Sequence, residues 1–352
     1  MIQLNEAQLK AVALHKVGNK VHDEGYTAAE ALYPMDEQLQ VILRDFFLRP
    51  FKNEELFKFT HPTDLTLNEV YTYCQRIFQA IGTGSLLEES INMLKHLYEV
   101  SIHPQIHGGE LYVAYFRDCE YEGRETDAIG IFKTETKDLF LRLVEDPSNE
   151  LQLVPEQGIN LKKLDKGCLI FNQFEEDGYS LLLINKDSEE TRYWTEDFLN
   201  VVRIQDNAYH TESFLEMTRE FCDEVFAQEE DKKEQVVFMN KSINYFSQNK
   251  AFDLGAFNQE VLGRPEYIEK FNTYRQDYES EQGLNSEEGF AISKYAVRRK
   301  KKDFKSILKL DTQIEIHLKT KDAEQAADFM ERGFDEMRGL HYYKVFFNQE
   351  IE

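Results

Sequence analysis

Apolar and polar positions change period along the chain, and those changes predict its elements. From Lys10 to Gly18 the residues alternate well enough for a strand. From about Asp36, Leu39, Ile42, Leu43, Phe46 and Phe47 recur at helical spacing. That helix should stop near Arg49-Pro50, because the residue before a proline is disfavoured in the α region. Two further helices carry start signals. Thr66-Leu67-Asn68-Glu69 precedes Val70, Tyr73, Ile77 and Ile81; Ser85-Leu86-Leu87-Glu88 precedes Ile91, Leu94 and Tyr98. Each reads as a capping box, in which the hydroxyl accepts from the N3 amide and the glutamate reaches back.

Between residues 108 and 186 the period becomes that of strands. Gly108-Gly109 leads into Glu110–Phe116, and Ala128–Lys133, Leu139–Val144, Gly167–Phe174 and Tyr179–Asn185 follow, separated by turn-like segments. The regular spacing predicts one antiparallel meander with the flanking helices on a face. From about Asp206 the helical period returns. Phe214, Met217, Phe221 and Val225 share one face; Val236, Met239, Ile243 and Phe246 share another. Residues 256–262 and 266–280 supply two more helices, with Pro265 near the start of the last. Gln313–Lys319 and His341–Phe347 read as strands. The expected class is α+β: an antiparallel sheet with flanking helices, then a helical region with short strands. The chain has 352 residues, which at roughly 100–200 residues per domain suggests two domains. The period change places them at 1–205 and 206–352.

Composition adds limits. Hydrophobic residues make up 41% of the chain, enough for a sizeable core. The start lacks a basic region followed by an apolar run, and no stretch is long and apolar enough to span a bilayer. Cys74, Cys119, Cys168 and Cys222 are widely spaced, so reduced thiols in a cytoplasm are expected rather than disulfides or a zinc site.

Charge changes the picture most. The net charge is −24, which argues for solubility and against nonspecific binding to a polyanion. Residues 294–309 are the exception. They carry eight basic residues and one acidic one, a local charge of +7. The cations are Lys294, Arg298, Arg299, Lys300, Lys301, Lys302, Lys305 and Lys309. Three readings stand for this segment: contact with DNA or RNA phosphates, pairing with acidic groups of this chain or of a protein partner, and contact with a membrane surface. Screening makes the first feasible, since the Debye length is about 8 Å at physiological salt. If about five cations engage a duplex, log K should fall against log salt with a slope of roughly −4.5. Tyr295, Phe304, Ile307 and Leu308 would anchor the segment whether it is helical or extended.

Other candidate chemistry is weaker. His103 and His107 precede a Gly-Gly, but Pro104 argues against the shared helical face that a metal pair needs. Gly82-Thr83-Gly84-Ser85 could hold a phosphate at a helix start, yet no Gly-Lys-Ser/Thr follows, and a helix-to-helix turn explains it. Acidic pairs such as Glu88-Glu89, Glu189-Glu190 and Glu229-Glu230-Asp231 read as solvated faces. No catalytic residue, cofactor or metal site is expected.

Several of these features together resemble the bacterial 37-kilodalton nucleoid-associated protein family. The resemblance runs through Ala13-Leu14-His15-Lys16-Val17, through Leu43-Arg44-Asp45-Phe46-Phe47-Leu48-Arg49-Pro50, and through Gly108-Gly109-Glu110-Leu111-Tyr112-Val113. It ends with a basic segment at Arg299–Leu310 that feeds Gln313–Lys319. It implies a DNA-associated protein of the bacterial nucleoid, in the cytoplasm, without catalytic residues. The leading expectation is therefore duplex DNA bound through phosphates, with little sequence preference and no base-reading motif. RNA, a protein partner at the nucleoid and self-assembly stay open. An acidic adaptor that docks on a basic partner protein is the alternative; a Mg²⁺-dependent nuclease using the acidic residues is a third reading.

Overall fold

The segments 109–121 and 124–134 are apolar at nearly every position of their centres, a pattern a strand tolerates only when both its faces are buried. The computed structural model describes residues 2–52, 55–80, 84–145, 151–184, 192–229, 232–282, 289–304, 307–317 and 329–349. The chain divides into two units, Met1–Ile204 and Gln205–Glu352.

The first unit contains β1 (Ile2–Gln3), β2 (Gln8–Val17), β3 (Tyr26–Thr27), α1 (Glu37–Leu48), β4 (Leu56–Phe59), α2 (Glu69–Gln79) and α3 (Leu86–Val100). After these come β5 (Gly109–Tyr121), β6 (Arg124–Thr134), β7 (Lys137–Glu145), β8 (Leu151–Ile159), β9 (Lys166–Phe171), β10 (Ser180–Ile184) and β11 (Val201–Arg203). One antiparallel sheet has the order β11-β4-β10-β9-β6-β5-β2-β3, with β1 also paired to β5. The β5–β6 hairpin turns on Glu122 and Gly123, both at positive φ, the geometry of the tightest hairpin turns. At the other end of β5 the chains approach so closely that a Cβ on Gly109 would sit 1.9 Å from the Thr134 carbonyl oxygen.

Burial alternates along β5 between two cores. Leu111, Val113 and Tyr115 join Val70, Cys74, Ile77, Leu94 and Leu97 of α2 and α3. Tyr112, Ala114 and Phe116 join Phe46, Phe47 and Leu48 of α1 on the opposite face. Phe47 stacks on Phe132 with ring centroids 4.4 Å apart. The α+β class stands. The expectation of a single meander with helices on one face needs correction in two respects. Helices cover both faces, and the segment around Leu139–Val144 leaves the sheet. Among the described residues β7 pairs only with β8, and the large sheet passes from β6 directly to β9. Asp138, Arg142, Glu145, Gln152, Glu156 and Gln157 in the two strands could not be buried on a two-sided sheet without partners.

Helix starts also differ from the expected boxes. Asn68, not Thr66, caps α2: its Oδ1 accepts from Tyr71 N–H at 2.9 Å. Its Nδ2 donates to the carbonyls of Thr60, Leu199 and Asn200. Thr66 instead donates its hydroxyl to Asp64. Ser85 begins α3 without a side-chain cap and donates to the Arg76 carbonyl at 3.2 Å.

The second unit contains α4 (Asn207–Phe221), α5 (Ala227–Glu229), α6 (Lys232–Gln248), β12 (Ala251–Asp253), α7 (Leu254–Phe257) and α8 (Pro265–Gln282). It continues with β13 (Gly289–Ala291), α9 (Lys294–Lys300), β14 (Ile307–Lys309), β15 (Glu315–His317), β16 (Met330–Asp335) and β17 (Leu340–Val345). Its core is rich in phenylalanine: the Phe214 ring contacts those of Phe246, Phe252, Phe257 and Phe271, and Phe257 also contacts Phe271. The strands pair as ribbons, β12 with β13, β14 with β15 and β16 with β17.

A buried histidine ties the first unit together. His15 on β2 accepts from Ala29 N–H at Nδ1 (3.0 Å), so its proton sits on Nε2, which faces Ser90 Oγ on α3 at 2.9 Å. Burial lowers its pKa from 6.5 to about 4. The unfolded chain therefore takes up a proton near pH 6.5 that the folded state refuses until about pH 4. The stability contributed by neutral His15 is complete above that window and declines as pH falls through it. The whole span is worth on the order of 3 kcal/mol. Urea midpoints measured at about pH 7.5 and about pH 5 should differ in the wild type, and the difference should shrink in His15→Gln.

Candidate nucleic-acid interface

The basic segment begins as a helix because Ser293 can cap it. Ser293 Oγ accepts from Ala296 N–H at 3.3 Å, while its own N–H donates to Thr211 Oγ1 on α4 at 3.0 Å. α9 continues into a single 3₁₀ turn at Lys301–Asp303. Ala296 and Val297 are buried, and Phe304 enters the phenylalanine-rich core. One side of the segment is thus committed inward, and the cations occupy the remainder. Three of them, Arg298, Arg299 and Lys300, lie in the last turn, where positive charge suits the helix dipole.

Those cations do not share one role. Lys294 points at the end of α6, and its Nζ donates to the carbonyls of Phe246 (3.1 Å), Ser247 (2.9 Å) and Asn249 (2.5 Å). It satisfies carbonyls that the end of a helix leaves without partners. Arg299 lies 3.4 Å from Glu212, and Lys300 lies 3.2 Å from Glu216. Glu212 and Glu216 stand one turn apart on α4. The Glu212 side chain is only 4% exposed, and a carboxylate so buried requires a cation beside it. Glu220 follows on the same ridge. Burial first, and then the Glu216 carboxylate, raise its pKa above the usual carboxylate range; Arg219 and Lys300 oppose the shift. Lys309 pairs with Glu315 across the β14–β15 ribbon at 3.1 Å.

Arg298, Lys301 and Lys302 face solvent. Arg298 keeps one contact along its own helix, from Nε to the Lys294 carbonyl at 3.3 Å. Lys305 and Leu308 belong to the expected segment, but Lys305 lies outside the described residues, as does the side chain of Leu308. The basic run is therefore split: part of it pairs within the chain, as one reading of the sequence allowed, and part projects outward.

The weaker candidates resolve into structural roles. His103 and His107 lie in a loop and serve through their carbonyls, His103 for Asn19 Nδ2 and His107 for Lys133 Nζ. Glu89 is a correction to the solvated acidic pairs. It is 4% exposed, lies 3.4 Å from Arg76 and accepts from Asn92. Gly82, Thr83, Glu189, Glu190, Glu230 and Asp231 lie outside the described residues. Among the described residues, no group of three or more His, Cys, Asp or Glu side chains is placed to hold a metal ion, and no helix is long and apolar enough to cross a membrane.

The model of the family described as nucleoid-associated protein YejK matches residues 13–336. The chain belongs to this nucleoid-associated protein family. No curated protein matches it. The matched span of the nucleoid-associated chain includes α9 and the α4 carboxylates that face it. The α4 residues were missed in the sequence, although Glu212, Glu216, Glu220 and Glu224 recur every fourth residue and so mark one helical ridge.

The division of the cations can be tested on stability. Lys294→Met should lower the unfolding free energy by about 1–3 kcal/mol, because it strips a charged donor from three carbonyls. Lys301→Gln, on the solvent side, should stay within about 0.5 kcal/mol of wild type. Guanidinium denaturation of both variants checks the contrast.

Proposed function

We propose that this nucleoid-associated protein holds duplex DNA by its phosphates, through the outward side of the basic helix and the turn that follows it. The observation that supports this reading is that Arg298, Lys301 and Lys302 remain solvent-facing on a segment whose other side is anchored in a core. Lys305 belongs to the same proposed set by sequence. Lys294, Arg299, Lys300 and Lys309 are assigned a supporting role, since each already has a partner within the chain. Contacts of this kind carry no sequence information, so unrelated duplexes should compete equally.

Engagement of all five cations from Arg298 to Lys302 corresponds to a log K–log salt slope of roughly −4.5, whereas the proposed four, Arg298, Lys301, Lys302 and Lys305, correspond to about −3.6. Fluorescence anisotropy on a random duplex, over a salt series, should give the shallower slope. Replacing Arg298, Lys301 and Lys302 with Gln should abolish most of the binding; replacing Arg299 and Lys300 should mainly cost stability. An absence of binding at low salt would reject the DNA reading. It would favour the acidic adaptor, which uses the large negative charge to dock on a basic partner.

A further inference from the structure

The ribbon formed by β7 and β8 stands apart from the large sheet, and its two faces differ in character. On one face Arg142 pairs with Glu156 at 2.8 Å across the strands, and the Phe140 ring lies against Gly158. The other face is fixed by the register Lys137↔Ile159, Leu139↔Gln157, Leu141↔Pro155, Leu143↔Leu153 and Glu145↔Leu151. It carries Leu139, Leu141, Leu143, Leu151, Leu153 and Ile159, which are 69%, 62%, 60%, 68%, 64% and 37% exposed. An isolated two-stranded ribbon is marginal in water, and a contiguous apolar face of this kind is uncommon on a lone soluble chain.

We propose that this face is the contact between two copies of the chain, packed face to face about a two-fold axis at Leu141, with the ribbons running antiparallel. Three features select a second copy as the occupant. Between its end charges the face is apolar except for Gln157 opposite Leu139, so its aliphatic centre complements itself, as an isologous contact requires. Its only charged members are Lys137 at one end and Glu145 at the other. Antiparallel packing brings each Lys137 towards the Glu145 of the other copy. Lys137 also contacts Glu110 at 2.7 Å and keeps 45% of its side chain exposed. Finally, covering both faces removes on the order of 1,000 Å² from water, the threshold for a specific interface. Edge-to-edge pairing of the ribbons would leave the leucines exposed and is not selected by the same features. The inference does not depend on DNA binding.

Sedimentation of the full chain should show a dimer whose dissociation constant rises at least about tenfold in Leu141→Asp/Leu153→Asp. Neither residue belongs to a core of the first unit, so the variant should keep the wild-type circular-dichroism spectrum, and its unfolding temperature should fall only by the linkage lost with the dimer. A second measurement does not depend on that variant. The four native cysteines are buried, so Leu141→Cys adds a lone accessible thiol beside the proposed axis. Under mild oxidation it should form a disulfide-linked dimer, whereas Val21→Cys, also exposed at 51%, should not. A wild-type chain that stays monomeric at high concentration overturns the proposal. So do an unchanged dimer in the double variant, a ladder of larger species, or equal cross-linking at both positions.

Discussion

Burial of the central strands on both faces is the constraint on which the first unit depends. Every residue of β9 and β10 is buried, and β5 and β6 alternate between two cores. A sheet of this kind has no side on which to place a charge. Lys133 and Lys166 lie at the ends of β6 and β9 and are 1% and 5% exposed. Their charges are therefore met locally. Lys133 Nζ donates to the His107 carbonyl at 2.7 Å, to Glu135 Oε1 at 2.9 Å and to the Tyr193 hydroxyl at 3.1 Å. Lys166 approaches the other oxygen of Glu135. Burial draws the Lys133 pKa down while Glu135 works against it. Loss of Glu135 would leave two cations in a dry site, which costs far more than an exposed ion pair contributes. The same rule keeps β7 and β8 out of the sheet: Arg142 and Glu156 pair across the ribbon at 2.8 Å while both stay partly open to water, and a two-sided sheet would have to desolvate them.

In the second unit the accounting runs through α4. Its ridge of carboxylates would repel one another at helical spacing without nearby cations. Arg299 and Lys300 supply them, and Ser293 and Thr211 fix the start of the helix that carries them. The ion pairs and the buried Ala296, Val297 and Phe304 thus hold the segment in one orientation. That orientation decides which cations are left to the solvent.

Much of this was legible in sequence where local signals suffice. The strand through His15, the helix ending before Pro50 and the apolar faces of α4 and α6 all follow from period and punctuation. Choices between equivalent local signals were not legible. Thr66 and Asn68 can both cap a helix; Asp64 takes the Thr66 hydroxyl, and three distant carbonyls select Asn68. Short strands such as β4 and β11 exist only because β10 and β4 pair with them, so no periodicity announces them. The segment 139–144 has a strand's alternation, but alternation does not say whether a strand joins the sheet or leaves it. For the basic run, the sequence displayed the charge but not its division, because Lys300 and Glu216 are 84 positions apart.

A net charge of −24 sets the remaining problem for a protein of the nucleoid. On the proposed reading, distance and screening deal with most of the acidic surface, since charges beyond about 8 Å contribute little at physiological salt. They do not deal with Glu212 and Glu216, which lie directly behind the basic helix. Unpaired, those carboxylates would oppose a phosphate approaching Arg298 or Lys301 from within that distance. Arg299 and Lys300 neutralise them. Two cations that never touch DNA would then still raise its affinity, by removing a local repulsion and by keeping Arg298, Lys301 and Lys302 ordered before binding. The dense Arg-Arg-Lys-Lys-Lys cluster is intelligible on this account: in a chain this acidic, a basic patch needs some of its charge to offset the ground beneath it.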